Sequence, residues 1–253
     1  MHKKIKFRNS KGQDLVGVFS GKEISDFDDF CIVITTGYPS SKDNQKYRDF
    51  QEHFESLGVS SFCFDYSGLG ESQGRFQDLN LTQALDDTNS ALKYLKSEGF
   101  RSFGLLGVSF GGAVVIHTAY QENTIQKVCM VCPVIDFLDQ KLVTKTKSDF
   151  HAWKEKGYVL NIDKFKVKRK IPYSFLEDSM KYNGYFCLYK LDEKIPIKII
   201  HGDKDERIPV ELSLKADKIC RNLELDLVKV GDHQFTDKRS YAEMIESVIQ
   251  FFK

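Results

Sequence analysis

The chain has 253 residues, 41% of them hydrophobic and 29% charged, which suits a globular domain with a sizeable core and excludes a fibrous or low-complexity protein. Lys and Arg total 37 against 36 Asp and Glu, and a net charge of +1 gives no global reason to bind nucleic acid or an anionic membrane. No apolar run is long enough to span a bilayer, and MHKKIKFRNSKGQDL lacks a signal peptide's apolar core, so the expectation is a cytoplasmic protein without an integral membrane segment.

Short β-rich pieces at Lys4 to Phe7 and Leu15 to Phe19, joined across Gly12, predict an N-terminal hairpin, with His2 in a flexible terminus. Cys31 to Thr35 is almost wholly apolar, the pattern of a strand buried on both faces of a parallel sheet. A helix follows from Lys46 to Leu57, then a strand from Val59 to Asp65. Asn80 opens an amphipathic helix with Gln83 as a capping partner and Gly99 as its stop. Strands at Phe103 to Val108, Val128 to Cys132, Ile197 to His201 and Leu225 to Val230, with helices at Val210 to Ile219 and Tyr241 to Phe252, complete the alternation. Repeated β–α with short buried strands predicts an α/β fold, a mostly parallel central sheet with helices on both faces.

Residues 137–192 break the rhythm and are expected to form an inserted cap between the sixth and seventh core strands, leaving 1–136 and 193–253 as the core. The segment is rich in aromatic residues, among them Phe137, Trp153, Phe165, Phe175 and Tyr185. Within it, Lys164 to Ile171 places Phe165, Val167 and Ile171 on one side at period two, with lysines opposite. That reads as a hairpin with a solvated basic face, and secondarily as a means of attracting an anionic substrate. The six cysteines, without a secretory signal, read as buried thiols. Cys129 and Cys132, three apart on a strand, are expected to point to opposite faces.

The chemistry centres on Gly107-Val108-Ser109-Phe110-Gly111-Gly112. A strand turning sharply into a helix thrusts out its serine, and side chains at 107 or 111 would collide with the adjoining strand or helix. The N–H of Phe110 is left at a helix N-terminus, where it can stabilise an oxyanion. A serine needs a base to take its proton, and the base needs an orienting group. Of the histidines, His233 follows the last strand and is the best base; His53 and His117 sit within helices, and His151 in the insertion. Asp203 and Asp205 both follow the preceding strand and both qualify as the acid.

Four stretches, TGYPSS, DYSGLGES, GVSFGG and HGDKDERIP with GDHQF, together resemble the α/β-hydrolase superfamily of serine hydrolases over roughly residues 30 to 250. They are most similar to its small cinnamoyl/feruloyl and monoacylglycerol lipase-like esterases. The resemblance implies Ser109 as nucleophile, His233 as general base and Asp205 as orienting acid, since the family's His-Gly-x-x-Asp selects Asp205. It implies His201 as structural, Asp203 as fixing its own loop, and Asp65 as shaping the loop after its strand. The oxyanion donors would be the backbone N–H groups of Tyr38 and Phe110, although Thr36 stands where the family usually has His.

The expected function is hydrolysis of a small-molecule carboxylic ester through an acyl-enzyme. A serine peptidase or amidase is the alternative, with Glu177 or Asp178 anchoring a peptide terminus; a non-catalytic hydrolase-like binding protein is a third reading. A dehalogenase is disfavoured because its elbow carries a carboxylate. No metal-ligand cluster or Gly-rich phosphate loop is present in the sequence, so no cofactor and no metal are expected.

Overall fold

The computed structural model describes residues 2–21, 29–162 and 167–253. β1 (His2–Arg8) and β2 (Asp14–Ser20) form the expected hairpin. Its register runs out to His2 opposite Ser20, and the His2 ring lies 3.3 Å from Glu55, so His2 belongs to a strand and not to a loose terminus. Six strands then run parallel: β3 (Phe30–Thr35), β4 (Ser60–Phe64), β5 (Ser102–Val108), β6 (Ile125–Val131), β9 (Ile197–Gly202) and β10 (Leu223–Val228). The remaining pair, β7 (Tyr158–Ile162) and β8 (Lys168–Pro172), makes a separate antiparallel ribbon. The main sheet has the order β1-β2-β4-β3-β5-β6-β9-β10.

Helices α1 (Gln45–Ser56), α2 (Leu81–Ser97) and α3 (Phe110–Gln121) follow β3, β4 and β5. Period-two alternation sorts the strands' side chains between two cores: Cys31 and Val33 join residues of α2 and α3, while Ile32 and Ile34 join Phe50 and Phe54 of α1. With both faces covered, every position of such a strand must be apolar, which is why the strands read as continuous runs. Asn80 caps α2 by accepting from the Gln83 N–H at 2.8 Å. The Gln83 amide does not reciprocate as expected; it donates to the fully buried Asp87 carboxylate, which needs donors to offset its burial.

Between β6 and β9 the chain builds α4 (Phe137–Thr144), α5 (Lys147–Lys156), the β7–β8 ribbon, α6 (Tyr173–Ser179) and α7 (Gly184–Leu191). Of the hairpin expected over 164–171, residues 168–171 lie on β8 paired with β7, Val167 precedes the strand and is exposed instead of sharing the apolar side with Ile171, and Lys164, Phe165 and Lys166 lie outside the described residues. On β8, Lys168 and Lys170 are exposed, but Arg169 shares the inward side with Ile171. α8 (Val210–Ile219) and α9 (Lys238–Phe252) complete the fold, α9 packing Met244 and Val248 into the α1 core. Among the described residues, no helix is long and apolar enough to cross a membrane.

The path matters for function. From β3 the chain moves to β4 on one side, then returns to β5 on the other. The loops leaving β3 and β5 therefore diverge, opening a crevice at the carboxyl ends of the strands.

Candidate active site

Ser109 stands at that crevice, between β5 and α3, with φ 55° and ψ −114°. Such a backbone is strained for a residue with a side chain and persists because its neighbours hold it. A Cβ on Gly107 would come within 2.5 Å of the Gly111 carbonyl oxygen, and one on Gly111 would strike the Thr35 carbonyl of β3. The elbow glycines are thus dictated by contact with the helix and the strand respectively, as expected.

The three candidate residues meet. His233, in the turn between β10 and α9, places Nε2 3.1 Å from Ser109 Oγ and Nδ1 2.7 Å from Asp205 Oδ2. A carboxylate only accepts, so Nδ1 carries the proton and Nε2 turns its lone pair to the serine hydroxyl. Asp205 follows β9, and its side chain is fully buried. Its Oδ1 accepts from the Arg207 and Ile208 N–H groups at 2.8 and 2.9 Å. Burial by itself would raise its pKa, but hydrogen bonds from His201, His233 and the Ile208 N–H, with the His233 charge, hold it well below the usual carboxylate range.

Asp203 is not part of this chain. It accepts from the Val230 N–H at 2.7 Å, which ties together the loops after β9 and β10, and so anchors the neighbouring loop and not its own as expected. His201 is fully buried behind Asp205, its Nδ1 accepting from Ser213 Oγ at 2.7 Å and its Nε2 proton shared between the Ile208 carbonyl at 3.0 Å and Asp205 Oδ2 at 3.3 Å.

Cys132 lies beside them. Strand parity expects it opposite Cys129, yet both belong to the core beneath α1 and α9. The reason is local: β6 ends at Val131, and Cys132 has φ 43°, which reverses the side chain's direction. All six cysteines are free and buried. Cys132, His201 and Asp205 hold their ligand-type atoms within 4.8 Å of one another. Both His201 nitrogens are already engaged, and burial first and Asp205 next push the Cys132 thiol well above its ordinary range, so the trio is bonded through protons. A second acidic group, Asp43, Asp65 and Glu71, is closed by the Lys42 ammonium at 3.0, 3.1 and 2.7 Å. Asp65 also accepts from the Lys42 and Glu71 N–H groups, shaping the loop after β4 as expected.

Tyr38 and Phe110 flank Ser109 from the ends of β3 and β5. The Phe110 N–H is the first of α3 and has no acceptor within its helix. Before Tyr38, Thr36 is buried with its hydroxyl unpartnered among the described residues. The loop is braced from another direction: the Gly37 N–H donates to the Tyr47 hydroxyl of α1 at 2.9 Å.

The Tyr38 ring stacks on Phe76 at 5.0 Å and meets Phe175 of α6 at 5.2 Å and Phe110 at 5.6 Å. Phe175 in turn meets Phe110 and, at 4.9 Å, Phe137 of α4. The segment 137–192 therefore contributes rings next to the serine, though only some of its aromatics do so: Trp153 packs on Tyr173, while Phe186 and Tyr189 are exposed. Nothing in the sequence singled out Phe76 or Tyr47, and Cys132 lies on the face opposite to the one strand parity expects. The helices α4 and α5 did carry signals, an Asp136 cap and a Thr146–Asp149 capping box.

A family model described as "Serine aminopeptidase, S33" matches residues 30–176. The chain is similar to mouse (Mus musculus) palmitoyl-protein thioesterase ABHD10, mitochondrial, at 29% identity over 82% of this chain and 70% of that one. Its fold is similar to that of Est1E from Butyrivibrio proteoclasticus, solved with ferulic acid, at TM-score 0.84, 21% identity and coverage of 98% and 97%. It is also similar to the structure of mouse alpha/beta hydrolase domain-containing protein 10, at TM-score 0.81, 22% identity and coverage of 99% and 98%.

Proposed function

The chain belongs to the serine aminopeptidase S33 family and is a hydrolase of the α/β-hydrolase superfamily, and from that premise we propose that it cleaves a carboxylic ester through a covalent acyl-enzyme on Ser109. The observation that carries the proposal is the continuous chain Asp205–His233–Ser109, with hydrogen-bond distances of 2.7 and 3.1 Å. Ser109 Oγ attacks the ester carbonyl as His233 Nε2 takes its proton. The Tyr38 and Phe110 N–H groups hold the resulting oxyanion, a contribution worth about 10²–10³ in turnover per donor. The C–O bond to the alcohol then breaks, with His233 returning the proton to the leaving oxygen. Water, deprotonated by His233, attacks the acyl-enzyme and releases the acid. A thioester follows the same route with sulfur as the leaving atom, and the likeness to a palmitoyl-protein thioesterase supports an acyl substrate.

Residues 137–192 serve as the cap, with Phe137 and Phe175 completing an aromatic acyl or aryl pocket. The peptidase alternative keeps only one of its two candidate anchors. Asp178 is spent on the Thr82 N–H and hydroxyl at 2.9 and 2.6 Å and on Lys181 at 3.0 Å, while Glu177 is exposed. The test is Ser109→Ala against a panel of short p-nitrophenyl esters and thioesters, with a fluorophosphonate probe on the wild type. Loss of hydrolysis with the fold intact is expected, and activity persisting in the variant would rule out the elbow as the site.

A further inference from the structure

Two cations of the 137–192 segment lean on the outer rings of the aromatic cluster that includes Tyr38 and Phe110. Lys141, one turn after Phe137 on α4, holds its ammonium 4.8 Å from the Phe137 ring centroid. Phe137 touches Phe175, which touches both Tyr38 and Phe110. From the other side, the Arg169 guanidinium of β8 lies 5.7 Å over Phe76, the ring stacked on Tyr38. Both positive charges thus face one aromatic cluster.

Lys141 is half-buried, and among the described residues no carboxylate pairs with it. The acids of its own helix are committed elsewhere: Asp136 caps α4 by accepting from the Asp139 N–H, and Asp139 pairs with Lys215 of α8 at 2.8 Å. The neighbouring charge, Lys145, has the same sign. A partly desolvated ammonium without a counter-charge costs free energy, and a ring face offsets only part of it. Burial, then Lys145, lowers the Lys141 pKa to about 8, which leaves it predominantly cationic at neutral pH.

We propose that the substrate is an anionic ester, with a carboxylate a few carbons from the scissile carbonyl that pairs with Lys141. The inference rests on the ester-hydrolase reading above and names its substrate class. It also gives the wrong sign for a free peptide amine. A charge-assisted hydrogen bond of this kind corresponds to about tenfold or more in kcat/KM.

The experiment compares mono-p-nitrophenyl glutarate with p-nitrophenyl valerate, equal in chain length and differing in the terminal carboxylate. Wild type, Lys141→Met, Lys141→Gln and Lys141→Arg are assayed, with Ser109→Ala as the blank. The expected result is a wild-type kcat/KM ratio favouring the half-ester by about tenfold or more. That ratio falls toward one in Lys141→Met and Lys141→Gln, is largely kept in Lys141→Arg, and shrinks as salt rises. Turnover of both esters with a ratio near one in wild type, or with a ratio that Lys141→Met and Lys141→Gln leave in place, overturns the anionic class while leaving ester hydrolysis standing. Turnover of neither ester by wild type overturns both.

Discussion

Replacing Asp205 by Asn tests the hydrogen-bond chain through its proton inventory. The carboxylate accepts on both oxygens: Oδ1 from Arg207 and Ile208 N–H, Oδ2 from His233 Nδ1, with His201 Nε2 3.3 Å from the same oxygen. An asparagine can keep only one of these acceptors. His201 Nε2 has the nearer Ile208 carbonyl at 3.0 Å as its acceptor, so the two backbone donors outcompete His233 for the single carbonyl oxygen, and the NH₂ falls where Oδ2 was and donates to His233 Nδ1. The ring is then forced into the tautomer with a proton on Nε2, aimed at Ser109 Oγ, and can no longer take the serine proton. A carboxylate-to-amide change at this role in the chymotrypsin-type triad lowers kcat by about 10⁴, and a loss of about 10³–10⁴ is expected here, roughly 4–5.5 kcal/mol of barrier. The assay is p-nitrophenol release at saturating ester, with burst amplitude to separate acylation from deacylation. Asp203→Asn, which keeps an oxygen for Val230, is the control and should change turnover little. An Asp205→Asn enzyme within about tenfold of wild type would refute the reasoning, since no intact base could then depend on that carboxylate.

The same carboxylate makes an acid-stability prediction. Its folded pKa lies below its unfolded value of about 3.9, so the unfolded chain binds the extra proton; the stability it contributes is complete above that value and is lost as pH falls through the folded pKa. Urea unfolding from pH 6 to 3 should therefore show wild type losing stability on acidification more steeply than Asp205→Asn, and parallel curves would contradict the assignment. Phe175, 1% exposed and touching Tyr38, Phe110 and Phe137, should cost about 3–5 kcal/mol when changed to Ala, read as a drop in the urea midpoint. A loss under about 1 kcal/mol would mean that the α6 contact with the core is not a packed one.

By itself the sequence determined what local physics determines. Continuous apolar runs specified strands covered on both faces, and the spacing of Gly107, Ser109 and Gly111 specified an elbow, because each signal depends on neighbours along the chain. Gln83 and Cys132 mark where that reach ends. Gln83 turned to Asp87 because a buried carboxylate outweighed the local cap, and Cys132 changed faces through one left-handed residue at a strand end. The parity placing Arg169 beside Ile171 was legible, but not the ring it would meet, since Phe76 lies 93 positions away in another loop. Likewise, Asp203 and Asp205 both qualify by their place after a strand, and only the resemblance to His-Gly-x-x-Asp favoured Asp205. The folded loops show that one carboxylate reaches His233 while the other ties down Val230, a contact that spacing does not encode because a hydrogen bond is settled by a few tenths of an ångström.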